Sequence, residues 1–213
     1  MEKAEIQKAL KEVNAQPKRK FVQSYELIIN LKNINLKQTS VDFSATLHHT
    51  TGRKVKVCAF VDNALFDQAT KSCDKVIRDT EFALYQQDKK LAKQLAQEFD
   101  YFVAQSTLMA KVAAAFGKAL GTRGKMPNPK MGCVVPPNSA MEPLIKRLNT
   151  TVRFVAKKGM NLQVPIGKEN QSEEEVIDNI FTAVQTAIKS LPNESQNIRN
   201  VLLKPTMGKP VRI

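Results

Sequence analysis

The chain has no tryptophan, two histidines and only three cysteines among 213 residues. Cys58, Cys73 and Cys133 are odd in number and far apart, which argues against a disulfide framework and leaves none with a Cys or His partner at zinc-ligand spacing. His48 and His49 are adjacent, so on an extended chain they point to opposite faces and do not converge on one ion. Apolar runs stop at five residues, as at Val57–Val61, far short of the ~20 needed for a membrane helix. The opening Met1-Glu2-Lys3-Ala4-Glu5 lacks the apolar core of a secretory signal. Basic amphipathic segments with exposed aromatics, which would mark a membrane surface, are missing as well. No membrane partner is therefore expected, and a cytoplasmic protein is the simplest reading.

Phosphate-gripping loops are also absent. A Walker A loop needs G-x-x-x-x-G-K-[ST], but Gly124-Lys125 is preceded five positions earlier by Ala119 and followed by Met126. No G-x-G-x-x-G follows an expected strand, and two adjacent histidines allow no Ser, His and acid set to be read. No catalytic residue, metal or cofactor is expected. Acidic residues are the scarcer charge: 20 Asp and Glu face 33 Lys and Arg, a net charge of +13 and a pI near 9.7. That excess suits a polyanionic partner, because each neutralised phosphate releases counterions.

What is present is an average globular composition, 42% hydrophobic and 25% charged, which excludes a disordered tail, a collagen rod and a coiled coil. Ile6, Leu10 and Val13 mark a short amphipathic helix over the first fourteen residues. After the basic break Pro17-Lys18-Arg19-Lys20, alternation predicts strands at 24–31 and 41–48, joined by a polar connection at 32–40. The Val-rich stretch 54–61 reads as a buried strand. Helices near 63, at 88–99, 107–119 (with Thr107 as N-cap) and 139–149 alternate with strands at 75–78, 101–105 and 151–156, around a Gly/Pro-rich loop at 121–138. The end returns to strand 160–166, a helix opened by the capping box Ser172-Glu173-Glu174-Glu175 and stopped at Pro192, and strand 198–204.

This order predicts an α/β chain of two domains. An α+β domain would be formed by both chain ends, residues 1–61 and 157–213, its four strands in one sheet. Residues 62–156 would be an inserted domain whose parallel sheet is covered on both faces. Two segments look like recognition surfaces. In Lys18-Arg19-Lys20-Phe21 an aromatic follows three cations, a combination suited to phosphates and an unstacked base. In Thr206-Met207-Gly208-Lys209 a glycine allows close backbone approach, the hydroxyl can meet a ribose 2′-OH, and Met can lie against a sugar or base.

Four segments, in order along nearly the whole chain, carry a resemblance: Lys20-Phe21 with Ser24 and Glu26; Gly124-Lys125-Met126-Pro127-Asn128-Pro129-Lys130; Val164-Pro165-Ile166-Gly167-Lys168; and Thr206-Met207-Gly208. The chain resembles the L-one family of large-subunit ribosomal proteins, of archaeal type, which belong to the mobile lateral stalk of the ribosome. The resemblance implies that the inserted domain is Rossmann-like and that the first domain binds folded ribosomal RNA. It implies Lys20, Phe21, Ser24, Glu26, Thr206, Met207 and Gly208 as RNA contacts, with Gly167 and Lys168 as weaker ones. It also implies a protein that is monomeric when free, helps transfer RNA leave the exit site, and represses translation by binding its own messenger RNA. The competing expectation is an α/β enzyme acting on a nucleotide or phosphate through the insertion, against which the missing phosphate loop weighs.

Overall fold

The computed structural model describes residues 2–36, 41–137, 139–157 and 159–213. Residues 37–40 of the polar connection and Asn138 at the end of the Gly/Pro-rich loop lie outside the described residues. The elements run α1 (Lys3–Asn14), β1 (Ser24–Leu31), β2 (Val41–Thr46), β3 (Val57–Val61), α2 (Asn63–Ser72), β4 (Lys75–Arg78), α3 (Phe82–Gln87) and α4 (Lys89–Glu98). They continue with β5 (Tyr101–Gln105), α5 (Met109–Gly121), β6 (Val134–Val135), α6 (Met141–Thr150), β7 (Thr151–Ala156), β8 (Asn161–Lys168), α7 (Glu173–Ser190), β9 (Ile198–Pro205) and β10 (Val211–Arg212). The chain divides into two compact units, Met1–Arg53 with Thr150–Ile213, and Lys54–Asn149.

In the first unit a four-stranded sheet has the order β10-β9-β1-β8, with antiparallel neighbours throughout. The alternation in β1 resolves as expected: Tyr25, Leu27, Ile29 and Leu31 are buried, while Ser24, Glu26, Ile28 and Asn30 are half-exposed. The inner face packs on Ile6, Leu10 and Val13 of α1 and on Val176, Ile180 and Val184 of α7. Burying each such side chain is worth about 1.5–3 kcal/mol, which holds both helices on this one face. The other face stays accessible, with Gln163 and Pro165 of β8 exposed beside half-exposed Glu26, Ile28 and Leu202. Helix α7 starts where the Ser172 hydroxyl accepts from the Glu175 amide at 3.4 Å.

The expectation of a single sheet holding all four strands is corrected for β2. It pairs antiparallel with β7 in a separate two-stranded ribbon, Val41 opposite Ala156 and Thr46 opposite Thr151. Phe43 stacks on Phe154 with ring centroids 5.0 Å apart, so an aromatic cross-strand pair fixes the register.

In the second unit the sheet β4-β3-β5-β6 is parallel. Strand β3 is buried on both faces, as its Val-rich run required. Cys58 and Phe60 join Phe82 of α3, Leu95 of α4 and Phe116 of α5 on one side. Val57, Ala59 and Val61 join Leu65 of α2 and Leu148 of α6 on the other. The result is the expected three-layer α/β arrangement. The expected boundaries at 61/62 and 156/157 cut on the wrong side of two strands: β3 pairs with β4 and β5 in the second unit, and β7 pairs with β2 in the first. The physical reason is that both are Val-rich strands beside a boundary, and only partner choice assigns them.

Two smaller expectations also change. Thr107 is not an N-cap: Ser106–Leu108 forms a tight turn, and α5 begins at Met109, whose amide donates to Ser106 O. That turn meets the need a capping side chain would have served. The 121–138 loop contains a turn at Pro129–Met131 and strand β6, both too short to show periodicity.

Candidate RNA interface

Three segments far apart in sequence meet at one end of the four-stranded sheet. Ser24 opens β1, opposite Lys168 at the close of β8, while Tyr25 lies opposite Gly167 on one side and Pro205 of β9 on the other. Thr206 follows directly and is tied to β1: its amide donates to Ser24 O at 3.0 Å, and its Oγ1 accepts from the Ser24 amide at 3.1 Å. Of the nine sequence-expected site residues, Ser24, Glu26, Gly167, Lys168 and Thr206 are joined by these strands, Met207 and Gly208 follow Thr206 in the chain, and Lys20 and Phe21 precede Ser24 by four and three residues. Phe21 is 48% and Met207 57% exposed, unusual for such large apolar side chains and unlike a core role for Phe21. Val22, next to Phe21 in the chain, is 53% exposed as well and was not expected from sequence.

The turn 206–209 is held by two glutamines. Gln16, just past α1, donates its Nε2 to Lys209 O at 2.9 Å and accepts from the Lys209 amide through Oε1 at 2.8 Å. Gln23, itself buried, accepts from the Met207 amide at 3.0 Å, and its backbone carbonyl accepts from the Glu169 amide at 2.9 Å. Nothing in the sequence marks either glutamine, because each acts across about 180 residues or more.

Candidates differ in what they present. Lys20 is exposed and Lys168 half-exposed, whereas Gly167 is buried. A Cβ at Gly167 would lie 2.9 Å from Gln171 Oε1 and 3.1 Å from Val176, so absence of a side chain there makes room for α7 and the turn before it. Glu26 on the accessible face accepts from Gln163 Nε2 at 2.6 Å and lies 3.8 Å from Lys204 Nζ. Its carboxylate is thus oriented and partly neutralised, and a carboxylate so held can still accept from a 2′-OH or a guanine amino group. Beside the turn, a cleft of ≈ 740 Å³ is lined by Arg19, Gln23, Tyr25, Glu169, Met207 and Lys209 among others. The Tyr25 hydroxyl donates to Asn14 Oδ1 at 2.5 Å. Burial first, then Glu169 and Glu173, raise its pKa above the usual 10.0 against the lowering effect of Asn14, so this end carries a neutral phenol.

The second unit's Gly124-Lys125 does not offer its cation to a phosphate. Lys125 Nζ donates to Phe99 O at 2.6 Å and Ala96 O at 3.1 Å, closing the carbonyl end of α4. The loop is braced further by Asn128, whose Oδ1 accepts from the Lys130 amide and whose carbonyl accepts from the Met131 and Cys133 amides. Among the described residues no cluster of His, Cys, Asp or Glu could hold a metal, and no helix is long and apolar enough to cross a membrane. His48, past the end of β2, binds Asp178 at 2.5 Å.

The geometry can be set beside known proteins. Residues 10–209 match the Ribosomal protein L1p/L10e family. The "Large ribosomal subunit protein uL1" of Nanoarchaeum equitans is 40% identical over 200 residues, covering 92% of this chain and 93% of the relative. Its namesake in Pyrococcus abyssi is 36% identical, covering 100% and 96%, and that in Thermoplasma acidophilum 30% identical, covering 98% and 95%. Similarity of this extent spans both units and every segment gathered at the sheet end, and on it the chain belongs to the Ribosomal protein L1p/L10e family, with archaeal relatives.

Proposed function

We propose that this protein is a component of the large ribosomal subunit that binds folded ribosomal RNA at the lateral stalk through the sheet end described above. The observation that carries the reading is that exposed Phe21 and Val22, next in the chain after Lys18-Arg19-Lys20, lead into the start of β1. There Ser24 is opposite Lys168 and is bonded to Thr206, the neighbour of exposed Met207, which lines one cleft with Arg19 and Lys209. Apolar side chains stack on bases and sugars, cations meet phosphates, and the ordered carboxylate of Glu26 and hydroxyl of Thr206 add acceptors that discriminate 2′-OH groups. The contacts assigned to RNA are Lys20, Phe21, Ser24, Glu26, Thr206, Met207 and Gly208, with Lys168 at the margin. Gly167, being buried, supports the site through space rather than contact.

The finer parts of the proposal follow from the same surface. A messenger RNA whose leader folds into a similar site would compete for it, which makes repression of the protein's own translation an outcome of one recognition event. Assistance to transfer RNA leaving the exit site follows from a stalk position. The test uses the full chain with protein-free large-subunit ribosomal RNA, and small-subunit ribosomal RNA as competitor. Protection of a compact stalk region at physiological salt, with a preference for large-subunit RNA of at least about 100-fold, is expected. Equal affinity for both RNAs would overturn the reading.

A further inference from the structure

We infer that Gln16 and Gln23 are positioning residues that hold the turn 206–209 in its RNA-binding conformation, which makes the end of helix α1 part of the recognition apparatus. The inference rests on the proposed reading of the sheet end. The turn needs such support because the ladder beyond it is short: β10 pairs with β9 at Val211 and Arg212, and the Ile213 amide adds one bond to Val201 O at 3.0 Å. Within the turn itself the Gly208 amide donates to Pro205 O at 3.2 Å. A turn this lightly held would present Met207 in many orientations, and ordering it on RNA would cost affinity.

Gln16 supplies what the missing ladder would have given. Its side-chain amide reproduces a backbone pair, satisfying both the N–H and the C=O of Lys209. Both partners precede a proline, Pro17 and Pro210, so both backbones are confined towards extended conformations before they meet. Gly208 fits the same scheme. A Cβ there would collide with Gln16 Oε1 and with the Pro205 ring, so the glycine is required by the close approach of the clamp as well as by any ligand. Gln23 acts one residue pair further in. From a buried position it fixes the Met207 amide, carries the chain into Ser24, and receives the Glu169 amide next to Lys168. One residue thus sets the spacing of all three segments, while the exposed Met207 side chain is aimed by backbone bonds on both sides of it.

The experiment measures binding of the full-length protein to protein-free large-subunit and small-subunit ribosomal RNA. Gln16→Leu, which removes both bonds to Lys209, is expected to lower affinity for large-subunit RNA about 10-fold, and Gln23→Met by a similar factor. Gln16→Glu keeps the acceptor for the Lys209 amide and should restore about a third of the lost affinity in logarithmic terms. Amide exchange at Met207 and Lys209 should accelerate in Gln16→Leu, with that of Leu27 and Leu203 in the sheet unchanged. Met207→Asp is the reference that reports the surface itself. If both glutamine variants bind large-subunit RNA as the parent does while Met207→Asp fails to, the positioning role is wrong and the proposed surface stands. Equal losses on both RNAs, or faster exchange throughout the sheet, would mean general destabilisation and would also overturn it. No preference by the parent protein would remove the functional reading beneath it.

Discussion

The two units carry almost the same charge and put it to different use. Lys54–Asn149 has fifteen Lys and Arg against nine Asp and Glu, +6, and the remainder of the chain has eighteen against eleven, +7. In the second unit a parallel sheet is sandwiched between helices, and one loop lysine, Lys125, is consumed in closing a helix. In the first, helices cover one sheet face, and exposed Phe21, Val22 and Met207 lie in the segments beside the ends of β1 and β9, with Lys168 closing β8 opposite Ser24. Net charge suits a polyanion in both; on the proposed reading, it is the first unit's shape that tells one RNA from another.

The most decisive way to break this comparison is to separate the units. Removing residues 54–149 and joining Arg53 to Thr150 by a short flexible linker should leave a folded protein that retains the RNA preference. Val55 N lies 3.4 Å from Asn149 Oδ1, so the ends of the excised unit are neighbours. Removing 62–156 instead strips β7 from β2 and strands β3 without partners, and should yield no cooperative unfolding transition. Circular dichroism and RNA titration of the two proteins check this. A folded product from the second deletion would refute the strand assignment.

Next in size is a contrast of side chains. Met207→Asp sets an anion against the sugar-phosphate surface and should cost specific binding about 2 kcal/mol, roughly 30-fold. Replacing Arg123 and Lys130, both exposed in the second unit, by Ser should cost a few-fold on every RNA alike and lower the salt slope by about 1 for each phosphate no longer neutralised. Removing Lys18 and Arg19 should likewise act on all RNAs. Specific loss from the Arg123 and Lys130 changes would move recognition into the second unit.

Lys125→Met tests whether that unit's motif is structural. Losing two bonds to the end of α4 should cost about 1–3 kcal/mol of stability with RNA preference unchanged. All three cysteines lie in this unit, which makes alkylation a local readout. Half-buried Cys73, its thiol pushed up to about 11 by burial and then by Asp74, should react slowly at pH 8 in either protein. Buried Cys58 and Cys133 should react faster in the variant, because they are reached only when the unit opens.

The smallest effect expected concerns acid stability of the first unit. The hydrogen bond from His48, with Lys3 adding to it, holds the Asp178 carboxyl below its usual 3.8 against a partly opposing effect of burial. A depressed carboxylate contributes stability above its unfolded pKa and loses it as pH falls through the folded value. Asp178→Asn should therefore shrink the parent's drop in melting temperature between pH 5 and pH 3, by about 1–2 °C given the exposure of the pair. An unchanged drop would show that the pair contributes nothing.

Particular residues show where sequence reasoning succeeded and where it ran out. Tyr25, Leu27, Ile29 and Leu31 at period two announced β1 and its buried face, and the Val-rich β3 announced a sheet covered on both sides. Of the sheet-end residues, Phe21 among cations and the Thr-Met-Gly turn are locally odd, whereas Ser24, Glu26, Gly167 and Lys168 were reached only through the family resemblance. Strand β2 went to the wrong partner because antiparallel strands of similar pattern are interchangeable until register is known. Val22, Lys204, Gln16 and Gln23 carried no local signal: their significance is a neighbour some 180 to 190 residues away or an exposure that only the packed chain defines.

Periodicity and composition by themselves determined the existence and kind of most elements, the α/β character, the inserted arrangement and the strong net positive charge, because these depend on residue spacing and total charge. Tertiary structure decided which strands pair, where one unit ends and the other begins, that Lys125 closes a helix, and that Gln16 and Gln23 clamp the turn bearing Met207. Those are properties of long-range backbone hydrogen bonds, and a backbone N–H or carbonyl is the same at every position until the fold supplies its partner.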